Sequence, residues 1–153
     1  MSFDGALLNR GFWLYVCDIQ TPTIRYLYVR RTGDSSSPNA ASPFQRIGQH
    51  LDLSPSAKGN SIAKRLMEKG VDPLLCTFRM LAVGPLFPEQ ETFGEHVMYR
   101  DKIASLETAL ADHLRQKGYD VLGVHTPGAD LDATLLDQVL RVVDEQFPIL
   151  STT

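Results

Sequence analysis

Between residues 95 and 117 the apolar side chains Tyr99, Ile103, Leu106, Leu110 and Leu114 recur every three or four positions, which reads as a helix with one buried stripe. At about 3.6 residues per turn, Glu107 falls on the margin of that stripe. Its neighbours three and four residues away are Ile103, Ala104, Leu110 and Ala111, and none can pair with it. A carboxylate turned inward without a local cation has four outcomes: it reaches past the stripe to water, pairs with an arginine from another element, titrates upward, or binds a metal. Arg46 and His50 form a second combination, four residues apart and therefore one helical turn apart. Arginine offers a planar, permanently charged fork for phosphate oxygens, and histidine exchanges a proton near neutral pH.

Other polar groups carry less. His96, His113 and His125 show no spacing that would bring two onto one helical face, so they read as surface histidines. Arg31-Thr32-Gly33-Asp34-Ser35-Ser36-Ser37 lacks the glycine spacing and the Lys-Ser/Thr ending of a phosphate-binding loop. Cys17 and Cys76 each sit in a strand-like apolar run, the usual place of a buried free thiol.

The elements that must position these groups follow from pattern. Residues 11–19 and 24–30 are rich in aromatic and β-branched types and flank Gln20-Thr21-Pro22-Thr23, which predicts a hairpin. Strand alternation puts Ile24, Tyr26, Tyr28 and Arg30 on one face and Arg25, Leu27, Val29 and Arg31 on the other. A long polar loop follows at 31–43. Ser42, Pro43 and Gln45 then supply an N-cap, a first-turn proline and a capping-box partner for a helix running to about residue 53. In it Phe44, Ile47 and Leu51 face inward, with Arg46 and His50 on the other side. A helix at 61–69 stops at Gly70, a third strand spans 74–83, and residues 84–94 form a connection into the long helix. A final amphipathic helix at 132–146 offers Leu135, Leu136, Val139, Leu140 and Val143, to complete the core or to meet a second copy. The expected fold is α+β, a small three-stranded antiparallel sheet flanked by helices, in one domain over 1–153.

A chain of 153 residues with 43% hydrophobic and 22% charged residues can bury a core without disulfides or a structural metal. No apolar run approaches the length of a membrane span, and the N-terminus lacks the pattern of a secretory signal, so the expected location is cytoplasmic. The net charge of −3 conceals an asymmetry: residues 1–80 sum to +4 and residues 81–153 to −7. A basic front can supply phosphate contacts while an acidic rear maintains solubility.

Taken in order, Gly11-Phe12-Trp13, then Tyr28-Val29-Arg30-Arg31-Thr32-Gly33, then Arg46 and His50, then Leu106-Glu107 in a later helix resemble the GIY-YIG nuclease family. The resemblance covers about residues 9–125, with 126–153 as a C-terminal helical extension, and the long polar loop is closest to the restriction-endonuclease branch. It implies a metal-dependent DNA endonuclease of restriction or defence type. Tyr28, Arg46, His50 and Glu107 would be catalytic, with Glu107 holding Mg²⁺ or Mn²⁺, Arg46 binding the scissile phosphate, and Tyr28 and His50 acting at the attacking water. Trp13, Tyr26, Arg30 and Arg31 would contact the substrate. The implied partner is double-stranded DNA, and a homodimer would suit cleavage of both strands of a symmetric site.

Three positions depart from the family pattern. Trp13 stands where the first triplet has tyrosine, with Tyr15 or Tyr26 as substitutes; Arg30 stands where the second triplet has glycine; and residues 119–125 contain no asparagine. The alternative implied is a non-catalytic relative that binds nucleic acid or a protein through the same cleft.

Overall fold

The computed structural model describes residues 1–34, 39–126, 128 and 130–151. Ser35, Ser36 and Ser37, which belong to the phosphate-loop reading, lie outside the described residues.

The hairpin forms as its composition requires. Strand β1 (Phe12–Gln20) pairs antiparallel with β2 (Arg25–Arg31), setting Tyr15 opposite Arg30 and Cys17 opposite Tyr28. Thr21 closes the turn, its backbone N–H and its hydroxyl both donating to the Ile24 carbonyl. On the other side of β1 lies β3 (Thr77–Phe87), also antiparallel. This strand begins later and ends later than its composition suggests. Residues 73–75 form a 3-10 turn capped by the Asp72 carboxylate, which accepts from the Leu74 N–H at 3.0 Å. At the far end, β3 continues through Pro85 because it is an edge strand, where a missing N–H costs no ladder bond.

The expectation of three antiparallel strands is corrected by a fourth. After helix α3 (Phe93–Gln116), Gly118 turns the chain at φ +98°, and β4 (Val121–Leu122) pairs parallel with Leu27 and Tyr28. Two residues are too few to show alternation, which is why pattern alone missed them. The sheet is four-stranded and mixed, in the order β3-β1-β2-β4.

Helices cover both faces. The larger core joins Phe12, Leu14, Val16, Leu27 and Val29 to the α3 stripe and to Val139, Val143 and Phe147 from α4 (Ala133–Gln146) and its end. The C-terminal helix therefore completes the core. The smaller core joins Cys17, Ile19, Tyr26 and Tyr28 to Ile62 and Leu66 of α2 (Ser61–Glu68), with Ile47 of α1 (Pro43–His50) packed against it. Ser42 caps α1 as its sequence indicates, accepting from the Gln45 N–H, and the helix stops at His50, short of residue 53. Among the described residues no helix is long and apolar enough to cross a membrane.

Candidate functional site: an arginine and carboxylate cluster at the edge of β2

Thr32 and Gly33 fix where the site begins. The Thr32 hydroxyl accepts from the Trp13 N–H at 2.8 Å and donates to the Gly11 carbonyl, and the Thr32 N–H bonds the Trp13 carbonyl. These bonds tie the end of β2 to the start of β1. Gly33 then passes at φ +83° over the Phe12 ring, where an added Cβ would stand 2.5 Å from ring carbons, so no other residue fits the bend. The start of β1 and the end of β2 thus constrain each other through backbone geometry.

Beyond Tyr28 the β2 edge faces side chains, because β4 pairs only with Leu27 and Tyr28. Arg31 points to the α3 side, as strand alternation predicts, and its Nη1 lies 2.9 Å from Glu107 Oε2. Arg30 starts on the opposite face and spans this edge: its Nη2 is 3.1 Å from Asp34 Oδ2 and its Nη1 is 3.7 Å from Glu107 Oε1. Arg46 reaches the same Asp34 oxygen at 3.2 Å and also donates to Gln49 at 2.7 Å. Asp34 therefore links α1 to β2, and Arg30 links that pair to Glu107. Glu107, at 2% exposure, has the arginine partners that its place on the stripe margin demanded.

The pairing is incomplete. The approach of Arg31 to Glu107 is close but poorly aligned, and Glu107 Oε2 accepts no directed hydrogen bond among the described residues. Among the described residues, the buried Nε atoms of Arg30, Arg31 and Arg46 have no acceptor. Three guanidinium groups face two carboxylates, so the cluster carries a net positive charge and spare donors, the condition that suits a phosphate.

Beside it stand Tyr15, Tyr28 and His50. His50 was expected on the outer side of α1; at 1% exposure it is buried instead, with Nε2 2.7 Å from the Tyr15 hydroxyl and its ring edge-on to Tyr28 at 5.3 Å. The reason is helical spacing: His50 stands three residues after Ile47 and so shares its side of α1, with Ile47 on the smaller core and His50 over the two tyrosines. Burial, then the charges of Arg46 and Arg30, lower the His50 pKa to about 4, so the ring is neutral at pH 7. Burial also raises the Tyr15 phenol above its ordinary range, an effect the adjacent Arg46 partly offsets. A protonated phenol against a neutral imidazole places a donor beside an acceptor.

Several readings need correction. Trp13 is 3% exposed, donates its indole N–H to the Asn9 carbonyl at 3.0 Å and packs on Gly84, so it presents no face for base stacking. Tyr26 lies in the smaller core beneath the Lys69 ammonium rather than at the cluster. His96 is not a surface residue: it is fully buried, stacked on Phe93 and tilted against Phe12. His125 is half-buried, contacting the Val29 carbonyl at 3.0 Å and Arg115 at 3.1 Å. Asp34 was missed as a site residue, and its only signal in the sequence was its place four residues after Arg30.

A divalent cation, which the family resemblance implies, can be tested against these residues. Glu107 offers one hard oxygen donor in Oε2, but Arg30 and Arg31 both hold its carboxylate, so the residues as they stand do not fit such an ion. The same oxygen is also the one that Arg31 approaches. Among the described residues no group of three or more His, Cys, Asp or Glu is gathered to hold a metal, at this cluster or anywhere else.

No family model, no curated protein and no solved structure matches this chain.

Proposed function

We propose that the chain is a GIY-YIG-like domain that hydrolyses phosphodiester bonds of DNA. One observation supports this above others: Arg46 from α1, Arg30 and Arg31 from β2 and Glu107 from α3 meet in one underneutralised cluster, beside a tyrosine and histidine that share a hydrogen bond. Arg46 and the spare arginine N–H groups would hold the scissile phosphate, where fixed cations in a buried setting stabilise developing negative charge most strongly. Neutral His50 would take a proton through Tyr15, which stands where the Trp13 position cannot supply a base, with Tyr28 flanking the ring. The resemblance would have Glu107 hold Mg²⁺ or Mn²⁺ to stabilise charge on the phosphoryl group, which would first require Arg30 and Arg31 to leave its carboxylate.

Purified protein incubated with supercoiled plasmid and genomic DNA, with Mg²⁺ or Mn²⁺, tests the reading. Cutting is expected, and it should be lost in Arg46→Ala and in Glu107→Gln. A second reading, a binding module without cleavage, is favoured by the Glu107 pairing to arginine and by the firmly protonated Tyr15. DNA binding with no cutting under any of these conditions would select it.

A further inference from the structure

A hollow of about 320 Å³ lies between α2 and the open edge of β4, lined in part by Arg65, Glu68, Lys69, Asp120, Val121 and Gly123. Arg65 is half-buried, and its guanidinium packs over Gly123, where an added Cβ would stand 3.4 Å from Cζ. Arg115 fixes Gly123 from the other side, donating to its carbonyl at 3.0 Å. Among the described residues Arg65 makes no ion pair or hydrogen bond, and its Nε is buried without an acceptor. Buried donors without acceptors are rare because they cost free energy, so an arginine held in this way is complementary to an anion. Lys69, one turn further on, has only the Tyr26 ring beside its ammonium, at 5.4 Å. Val121 adds a backbone donor: Leu27 donates to the Asp120 carbonyl and Leu122 pairs with Tyr28, so the Val121 N–H between them points away from β2. Glu68 and Asp120 offset the two cations, so the lining is neutral in sum and has no field to gather free anions from solution. Its place in the fold is close to the arginine cluster. After Leu122 the chain follows the β2 edge, with His125 Nε2 3.0 Å from the Val29 carbonyl, which sets Gly123 about 5 Å, one strand spacing, from the strand that bears Arg30.

We infer that Arg65, with Lys69 and the Val121 N–H, is a second phosphate position for the DNA strand whose scissile phosphate the cluster holds. The inference rests on the phosphodiesterase reading for its ligand and extends that site along the backbone. The cluster, with three guanidinium groups against two carboxylates, supplies the net attraction. The hollow supplies register. A strand anchored at the cluster presents its nearby phosphates to Arg65 at high effective concentration, which a neutral hollow needs and a free anion lacks. Two fixed phosphates set the direction in which the backbone crosses β2, and such contacts place a strand without reading its bases. Arg65 is therefore a positioning residue.

Fluorescence anisotropy of a labelled DNA duplex titrated with the full chain, in EDTA and across a salt series, tests this. Arg65→Gln should bind about tenfold more weakly, and the slope of log affinity against log salt should shrink by about 0.9, the share of one phosphate contact. Duplexes that each carry one neutral methylphosphonate linkage locate the contact. At one linkage the wild-type chain should lose as much affinity as Arg65→Gln does, and the variant should lose nothing further. The Arg65 Nε–H magnetic resonance signal should move when duplex is added and stay in place with inorganic phosphate. Arg65 has no protein partner to lose, so the variant should fold; Lys69→Gln, at an exposed side chain, should show a smaller loss of the same kind if it does not. Unchanged affinity and salt slope in Arg65→Gln would overturn the inference and leave the phosphodiesterase reading, which cutting by the wild-type chain decides. Weaker binding in Arg65→Gln without cutting by the wild-type chain would remove hydrolysis and keep the second phosphate position. A wild-type chain that binds no duplex would remove both.

Discussion

Replacing His50 with glutamine should change how stability depends on pH, and the size of the change can be worked from the burial of the ring. In the unfolded chain the imidazole titrates at its ordinary 6.5, while in the folded chain its pKa is lowered to about 4 by burial and by Arg46 and Arg30. As pH falls through 6.5 the unfolded state takes up a proton that the folded state refuses, so unfolding is favoured; the loss is complete below about pH 4. Each pKa unit corresponds to about 1.4 kcal/mol, so His50 should cost about 2 kcal/mol by about pH 5 and about 3 kcal/mol in full. The lowered pKa values of Asp18 and Asp144 act below their ordinary 3.8 and do not enter this window. The assay is urea unfolding of the wild-type chain and of His50→Gln at about pH 7.5, 6 and 5, comparing midpoints at constant m. Contributions from the rest of the chain are common to both proteins and cancel in the difference. If the two stability curves run parallel from about pH 7.5 to 5, to within about 0.5 kcal/mol, His50 is not held neutral against Tyr15 and the proton-transfer argument fails.

Two further outcomes test the frame around the site. Arg31→Met removes the nearest cation from a buried carboxylate and should cost about 3 kcal/mol, or about 6–12 °C in Tm for a chain of this size; adding Glu107→Gln to the same chain should restore most of it, and a single-variant loss below about 1 kcal/mol would count against the pair. Gly33→Ala places a Cβ 2.5 Å from the Phe12 ring in a left-handed bend, so it should lose about 2 kcal/mol in denaturant unfolding, and a neutral result would show that the bend is not required.

The Arg30 to Asp34 contact illustrates what sequence alone could reach. Every local feature around it was legible, because local features are set by neighbours along the chain: the hairpin by its β-branched and aromatic runs, the start of α1 by Ser42 and Pro43, the end of α2 by Gly70, the inward margin for Glu107 by helical periodicity. Strand alternation even assigned Arg30 and Arg31 to opposite faces. Asp34 lies only four residues after Arg30, but the partners that complete the cluster were not legible, because Glu107 lies 77 residues from Arg30 and Arg46 lies 12 from Asp34, and pattern carries no distance information.

The residue types and their order thus determined the hairpin, the four α-helices, the apolar stripes and the side chains whose chemistry suits a phosphate, since these depend on periods of two and 3.6 residues and on the chemistry of single groups. The tertiary structure alone decided that β4 joins the sheet in parallel, that His50 turns inward to Tyr15 while Trp13 is lost to packing, and that Glu107 answers to arginines. Those outcomes depend on how helices seat on a twisted sheet and on which charges then fall within a few ångströms of each other, and only the folded chain specifies both.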